Sequence, residues 1–161
     1  MARVEDDAPI VRMTSVQPSP TAVVRATTTW PEFPSLWRQM LDEVWRFLRD
    51  APPAVRKHGH NVMLYKDDLP TVEVGVQVNG SFESRGSVVP SALPGGRVVT
   101  ATHPGPIDKL GETHDAIHMW CAERGLEISR VRWEVYGDPS PDTGHFDVDV
   151  FWALASQPLT A

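Results

Sequence analysis

One carboxylate stands in the middle of a stretch otherwise built like a β-strand. In VRWEVYGDP (131–139) the β-branched and aromatic residues around Glu134 favour extended chain. Strand alternation places Glu134 and Tyr136 on one face, with Trp133 and Val135 on the other. If that face is wet, the charge is simply solvated, as most glutamates are. If aromatic residues cover it, the carboxylate stays ionised only where hydrogen bonds or a cation compensate its burial. Aromatic faces add about 1–2 kcal/mol of attraction for a desolvated cation, so an acid in such a cleft is a cation receptor. Six tryptophans in 161 residues provide faces. Trp37, Trp45, Trp120, Trp133 and Trp152 all fall in predicted elements, although core packing also accounts for each singly.

Other residues with possible chemistry are weaker. HDAIH (114–118) sets His114 and His118 one helical turn apart, as zinc peptidases do, but Asp115 stands where their glutamate would be. His114 falls on an apolar stripe, where a packed, hydrogen-bonded histidine is the usual outcome, and no pattern supplies a third ligand. HGH (58–60) reads as a solvated loop, and His103 as a hydrogen-bonding group near a helix start. Neither a nucleophile elbow nor a phosphate or dinucleotide loop is present. Cys121 is the only cysteine, which excludes an intrachain disulfide and a cysteine-rich zinc site. No metal and no cofactor are expected.

Two helices and six longer strands must position these residues. Trp37, Met40, Leu41, Val44 and Leu48 recur at helical spacing over 35–50, stopped by Pro52 and Pro53. Ile107, Leu110, His114, Ile117 and Cys121 do the same over 106–124, between Pro106 and Gly125. Strands are predicted over 21–30, 61–67, 71–78, 97–103, 131–137 and 145–154, with shorter candidates in IVRMTSV and GSVVPSA. The length suits one domain. A net charge of −6 with scattered basic residues argues against a nucleic-acid partner. No apolar run is long enough for a membrane span, and the N-terminus has no signal-peptide pattern. A cytoplasmic protein is expected.

The two halves of the chain resemble each other. VVRAT (23–27) matches VVTAT (98–102), LYKDD (64–68) matches VYGDP (135–139), and VEVGV (72–76) matches VDVFW (148–152), in the same order and at similar spacing. Each half reads strand, strand, helix, strand, strand, and neither alone buries both its sheet face and its helix. The expectation is an α+β domain over 10–154, with halves 10–79 and 86–154, both helices on one face of antiparallel sheet, and tails at 1–9 and 155–161. The seam between the halves is where a cleft is expected. In this alignment Glu134 takes the position of Met63, and Tyr136 that of Tyr65.

The order of these features, above all RVVTATHPGPIDKLGETHDAIHMWCAERGLEISRVRWEVYGDP (97–139), NVMLYKDD (61–68) and VEVGVQV (72–78), resembles the GyrI-like family, the effector-binding domains of bacterial multidrug-responsive regulators. The resemblance implies a duplicated SH2-like fold with pseudo-two-fold symmetry. It also implies a cleft in which Glu134 meets the charge of lipophilic aromatic cations. Tyr136 and Tyr65 follow from strand facing, and Met63, Phe33, Trp37, Met40, Trp120 and Phe151 are the further wall candidates. The aromatic often found after the Gly-Pro turn is Ile107 here, and about twenty residues precede the first long strand, so no DNA-reading helices are expected. The expected function is a stand-alone multidrug-binding protein for sensing or sequestration, touching neither nucleic acid nor membrane. Some family members instead hydrolyse cyclopropane-bearing toxins, which would make Glu134 an acid/base group assisted by Tyr136 or Tyr65. Others are protein-interaction modules that sequester gyrase. The sequence leaves anchor and acid open.

Overall fold

The computed structural model describes residues 9–55 and 59–155. His58 of the HGH run, and the predicted tails apart from residues 9 and 155, lie outside the described residues. The elements are β1 (Arg12–Val16), β2 (Ser19–Thr27), α1 (Phe33–Asp50), β3 (Asn61–Tyr65), β4 (Thr71–Gln77), β5 (Val89–Leu93), β6 (Gly96–His103), a 3-10 turn (Ile107–Lys109), α2 (Leu110–Glu123), β7 (Ile128–Tyr136) and β8 (Val148–Leu154). All eight strands pair antiparallel in one sheet, in the order β1-β6-β8-β7-β3-β4-β2-β5.

Helix α1 forms where Phe33, Met40, Val44 and Leu48 supply a buried stripe. Pro34 sits in its first turn, where no N–H is needed, and the chain becomes extended at Ala51 ahead of Pro52. Helix α2 begins later than its predicted start, after the 3-10 turn, and ends at Glu123, two residues ahead of Gly125, whose φ of +66° suits glycine. Its buried stripe is Thr113, Ile117 and Cys121. His114 lies one position round from that stripe and faces the second half of the sheet.

The two helices share one face of the sheet. Under α1 lies a core of Ala22, Val24, Met40, Val44, Leu48 and the inward valines of β4. Under α2 lies a second core with Val99, Ala101, Ile117, Cys121, Val148 and Val150. Tyr136 packs against both.

The edges were not foreseen. The sequence groups IVRMTSV with the first half and GSVVPSA with the second, but β1 pairs with β6 and β5 pairs with β2, so the short strands exchange halves. The physical reason lies in the links. Gln17-Pro18 and Pro94-Gly95 carry the chain straight on rather than reversing it. The two bent strands therefore run as one ladder, with Val16 opposite Gly96 and Ser19 opposite Leu93. Where they cross, a Cβ on Gly95 would meet Pro18 Cδ at 2.6 Å, so only glycine permits the approach. The exchange draws the ends of the sheet together. Its helix-free face then buries a third core of Val62, Leu64, Leu93, Val98, Trp133 and Ala153.

At the centre of the sheet β3 pairs with β7, and Met63 lies directly opposite Glu134. These are the two residues matched between the halves by sequence. In an antiparallel pair of matched strands, a residue faces its own counterpart only at the midpoint. Glu134 therefore occupies the middle of the eight-stranded sheet, on the face that carries the helices.

Candidate functional site

Between the two helices the sheet is left uncovered over β3 and β7, and this gap is a cavity of about 570 Å³. Its floor is Asn61, Met63 and Tyr65 from β3 with Glu134 and Tyr136 from β7. One wall is the start of α1, with Phe33, Trp37 and Leu41. The other is Ile107 of the 3-10 turn and Leu110 at the start of α2, and Pro139 and Phe146 from the loop after β7 complete it. A volume of this size accommodates a drug-sized molecule.

Glu134 is 4% exposed, and its carboxylate accepts three hydrogen bonds. Tyr136 Oη donates to Oε1 at 2.6 Å, Tyr65 Oη donates to Oε1 at 3.3 Å, and His114 Nε2 lies 2.7 Å from Oε2. The histidine's other nitrogen fixes its role. Trp152 Nε1, which can only donate, lies 3.0 Å from His114 Nδ1. Nδ1 is thus an acceptor, the ring proton sits on Nε2, and a neutral imidazole donates to Glu134.

Burial, followed by the charge of Glu134, holds both phenols well above the ordinary tyrosine range. They remain donors. Three neutral donors therefore solvate the carboxylate, and the charge itself is not cancelled. Arg132, two residues back on the same face of β7, is not its partner. The Arg132 guanidinium bonds the carbonyls of Asp67 and Arg130 and pairs with Asp68 at 3.0 Å. It also lies 5.2–5.5 Å from the rings of Trp30, Tyr65 and Trp152.

Six of the nine residues expected at the site meet here: Glu134, Tyr136, Tyr65, Met63, Trp37 and Phe33. Three do not line the cavity. Met40 is buried in the core beneath α1, because it lies on the side of the helix turned down to the sheet, whereas Leu41, one position round, borders the cavity. Trp120 packs on the core beneath α2 under the Arg124 guanidinium, since only the start of that helix borders the cavity. Phe151 stacks on Trp133 at 5.4 Å on the opposite face of the sheet. Sequence reasoning missed His114 and Trp152 as partners of the carboxylate, and Phe146 in the wall. Trp152 lay within reach, because alternation from Val148 and Val150 puts it on the helix-bearing face. His118, the second histidine of HDAIH, packs edge-on to Trp152 with centroids 4.4 Å apart. Burial and the neighbouring His114 lower its proton affinity. Among the described residues no group of three His, Cys, Asp or Glu side chains is placed to hold a metal.

The architecture and the cavity define a small-molecule-binding domain. The chain belongs to the GyrI-like family: the model of the GyrI-like small molecule binding domain matches residues 11–155. No curated protein matches by sequence. Among solved structures, the C-terminal domain of EcmrR superposes with a TM-score of 0.73 at 16% identity, covering 91% of this chain and 97% of that one. SAV2435 bound to tetraphenylphosphonium gives 0.66 at 8% identity, covering 91% and 94%. A hydrolase encoded by lin2189 from Listeria innocua gives 0.57 at 10%, covering 90% and 91%. At these identities the likeness concerns the fold. No helix among the described residues is long and apolar enough to cross a membrane.

Proposed function

We propose that the domain takes up lipophilic aromatic cations in this cavity, for sensing or sequestration, with Glu134 as the charge anchor. The observation that carries the reading is a buried carboxylate solvated only by neutral donors at the floor of an aromatic cavity. Such a group is stable without a ligand, yet still attracts a positive charge placed beside it. Apolar and stacking contacts with Trp37, Phe33 and Tyr65 supply most of the affinity and tolerate varied shapes. The glutamate supplies the selection for charge. A relative of the same fold holds tetraphenylphosphonium, which agrees with this reading. In this reading the domain contacts neither DNA nor membrane directly.

The same geometry weighs against Glu134 as a general base. Tyr65, Tyr136 and His114 already occupy three of the lone-pair positions of its two oxygens, which leaves little of the carboxylate to hold a catalytic water, so hydrolysis of cyclopropane-bearing compounds ranks second. Incubation with a cyclopropane alkylator is expected to return the intact compound. A ring-opened, water-added product that disappears in Glu134→Gln would reverse that ranking.

The deciding experiment compares a cationic dye with a neutral aromatic of similar size on the wild type and on Glu134→Gln. Removing one charge at close range is expected to weaken the cation by about tenfold to a hundredfold and the neutral compound by about twofold at most. Equal losses for both would remove the charge-anchor reading.

A further inference from the structure

The cavity lining holds two formally charged side chains, of opposite sign. Glu134 lies buried on the floor, and Arg38 lies exposed at the mouth on α1. The Arg38 guanidinium sits 5.3 Å from the ring centroid of Trp37, itself part of the wall. Among the described residues no carboxylate pairs with Arg38 in an ion pair, whereas the deeper Arg132 is fully engaged by Asp68 and two carbonyls. The remaining lining is aromatic, aliphatic or uncharged polar. The site is thus neutral overall and dipolar, negative within and positive at its entrance.

We infer that the preferred ligand class is amphoteric: a planar aromatic skeleton with a cationic centre at one end and a carboxylate or similar anion at the other. This rests on the cation-binding reading and refines it. The cation goes to the floor beside Glu134, and the stacking body lies along Trp37. The anion meets Arg38, whose planar fork suits a carboxylate. A simple cation leaves Arg38 unmatched, and a dication meets repulsion at the mouth. Because Arg38 is exposed, its contribution is that of a surface pair, about threefold to fivefold at low salt.

The test uses one skeleton in two charge states: rhodamine 6G, a cation with its carboxyl esterified, and rhodamine 19, the same dye with the carboxylate free. Binding is read by fluorescence anisotropy. Wild type is expected to bind the free acid about three to five times more tightly than the ester. The preference should vanish in Arg38→Gln, persist in Arg38→Lys, and shrink at about 0.5 M salt. If wild type fails to bind the ester at all, or binds it equally well after Glu134→Gln, the cation-site reading fails and this inference with it. If the ester binds in a Glu134-dependent way but the acid shows no preference, or Arg38→Gln shifts both dyes equally, the amphoteric class alone is overturned.

Discussion

Tyr65 and Tyr136 are the two tyrosines of the whole sequence, so raising the pH interrogates the cavity floor without interference from other phenols. Burial, reinforced by the Glu134 charge, holds both above the ordinary range in the folded protein. In the unfolded chain both ionise near pH 10. Below that pH, folded and unfolded states hold both protons and the contribution to stability is constant. Above it the unfolded chain holds fewer protons than the folded one, so stability falls as pH rises. Each pH unit removes about 1.4 kcal/mol per tyrosine, or about 2.7 kcal/mol for the pair. Domains are stable by about 5–15 kcal/mol, so two units above pH 10 consume a substantial share of the total. The assay follows phenolate absorbance and far-ultraviolet circular dichroism in one titration. The two signals are expected to change together, in a single cooperative step well above pH 10, with no phenolate in the folded state. Lysine deprotonation moves the position of that step but not the coincidence. In Tyr136→Phe the phenolate amplitude halves. A phenolate signal with a midpoint near pH 10 in protein whose dichroism is still native would refute the buried, Glu134-facing placement of the tyrosines.

Three further outcomes follow from the same geometry. Tyr136→Phe removes the 2.6 Å hydrogen bond to Glu134 and is expected to cost about 1.5–3 kcal/mol in urea unfolding, with a smaller loss for Tyr65→Phe, whose bond is 3.3 Å. Nitrogen-15 NMR of His114 at about pH 8 should show Nε2 protonated and Nδ1 an acceptor, and Trp152→Phe, which removes the Nδ1 partner, should shift the Nδ1 resonance while Nε2, still facing the Glu134 carboxylate, keeps its proton. Met40→Ala should lower stability by about 2–5 kcal/mol while leaving the affinity for a cationic dye within about twofold, whereas Trp37→Ala, half-buried at the edge of the same core, should weaken the dye severalfold.

How far the site was legible depends on which residues are considered. Glu134 stood out because a period of two is a strong signal in a strand, and the same rule carried Tyr136, Tyr65 and Met63 to one face. The rule also applied to β8, where it puts Trp152 with Val148 and Val150 and turns Phe151 away, as observed. Helix residues were harder. The apolar stripe on α1 is wide enough to face the cavity with Phe33, Trp37 and Leu41 and the closed core with Met40 and Val44, and spacing does not mark which side of the stripe is which. His114 looked like a core or metal-like residue because its partners, Glu134 and Trp152, come from two other elements. The strand exchange was invisible for a similar reason. Pairing between β1 and β6 joins residues eighty or more positions apart, and the local cue, Gln17-Pro18 against Pro94-Gly95, says only that neither link is a tight hairpin turn.

The most direct test is to locate the charge of a bound cation. Tetraphenylarsonium carries its positive charge on an arsenic atom, whose anomalous scattering marks its position in a crystal of the complex. The expected result is one arsenic peak inside the cavity over β3 and β7, within about 6 Å of the Glu134 carboxylate, with phenyl groups against Trp37 and Tyr65. An ordered arsenic site elsewhere on the protein, with this cavity empty, would contradict the account.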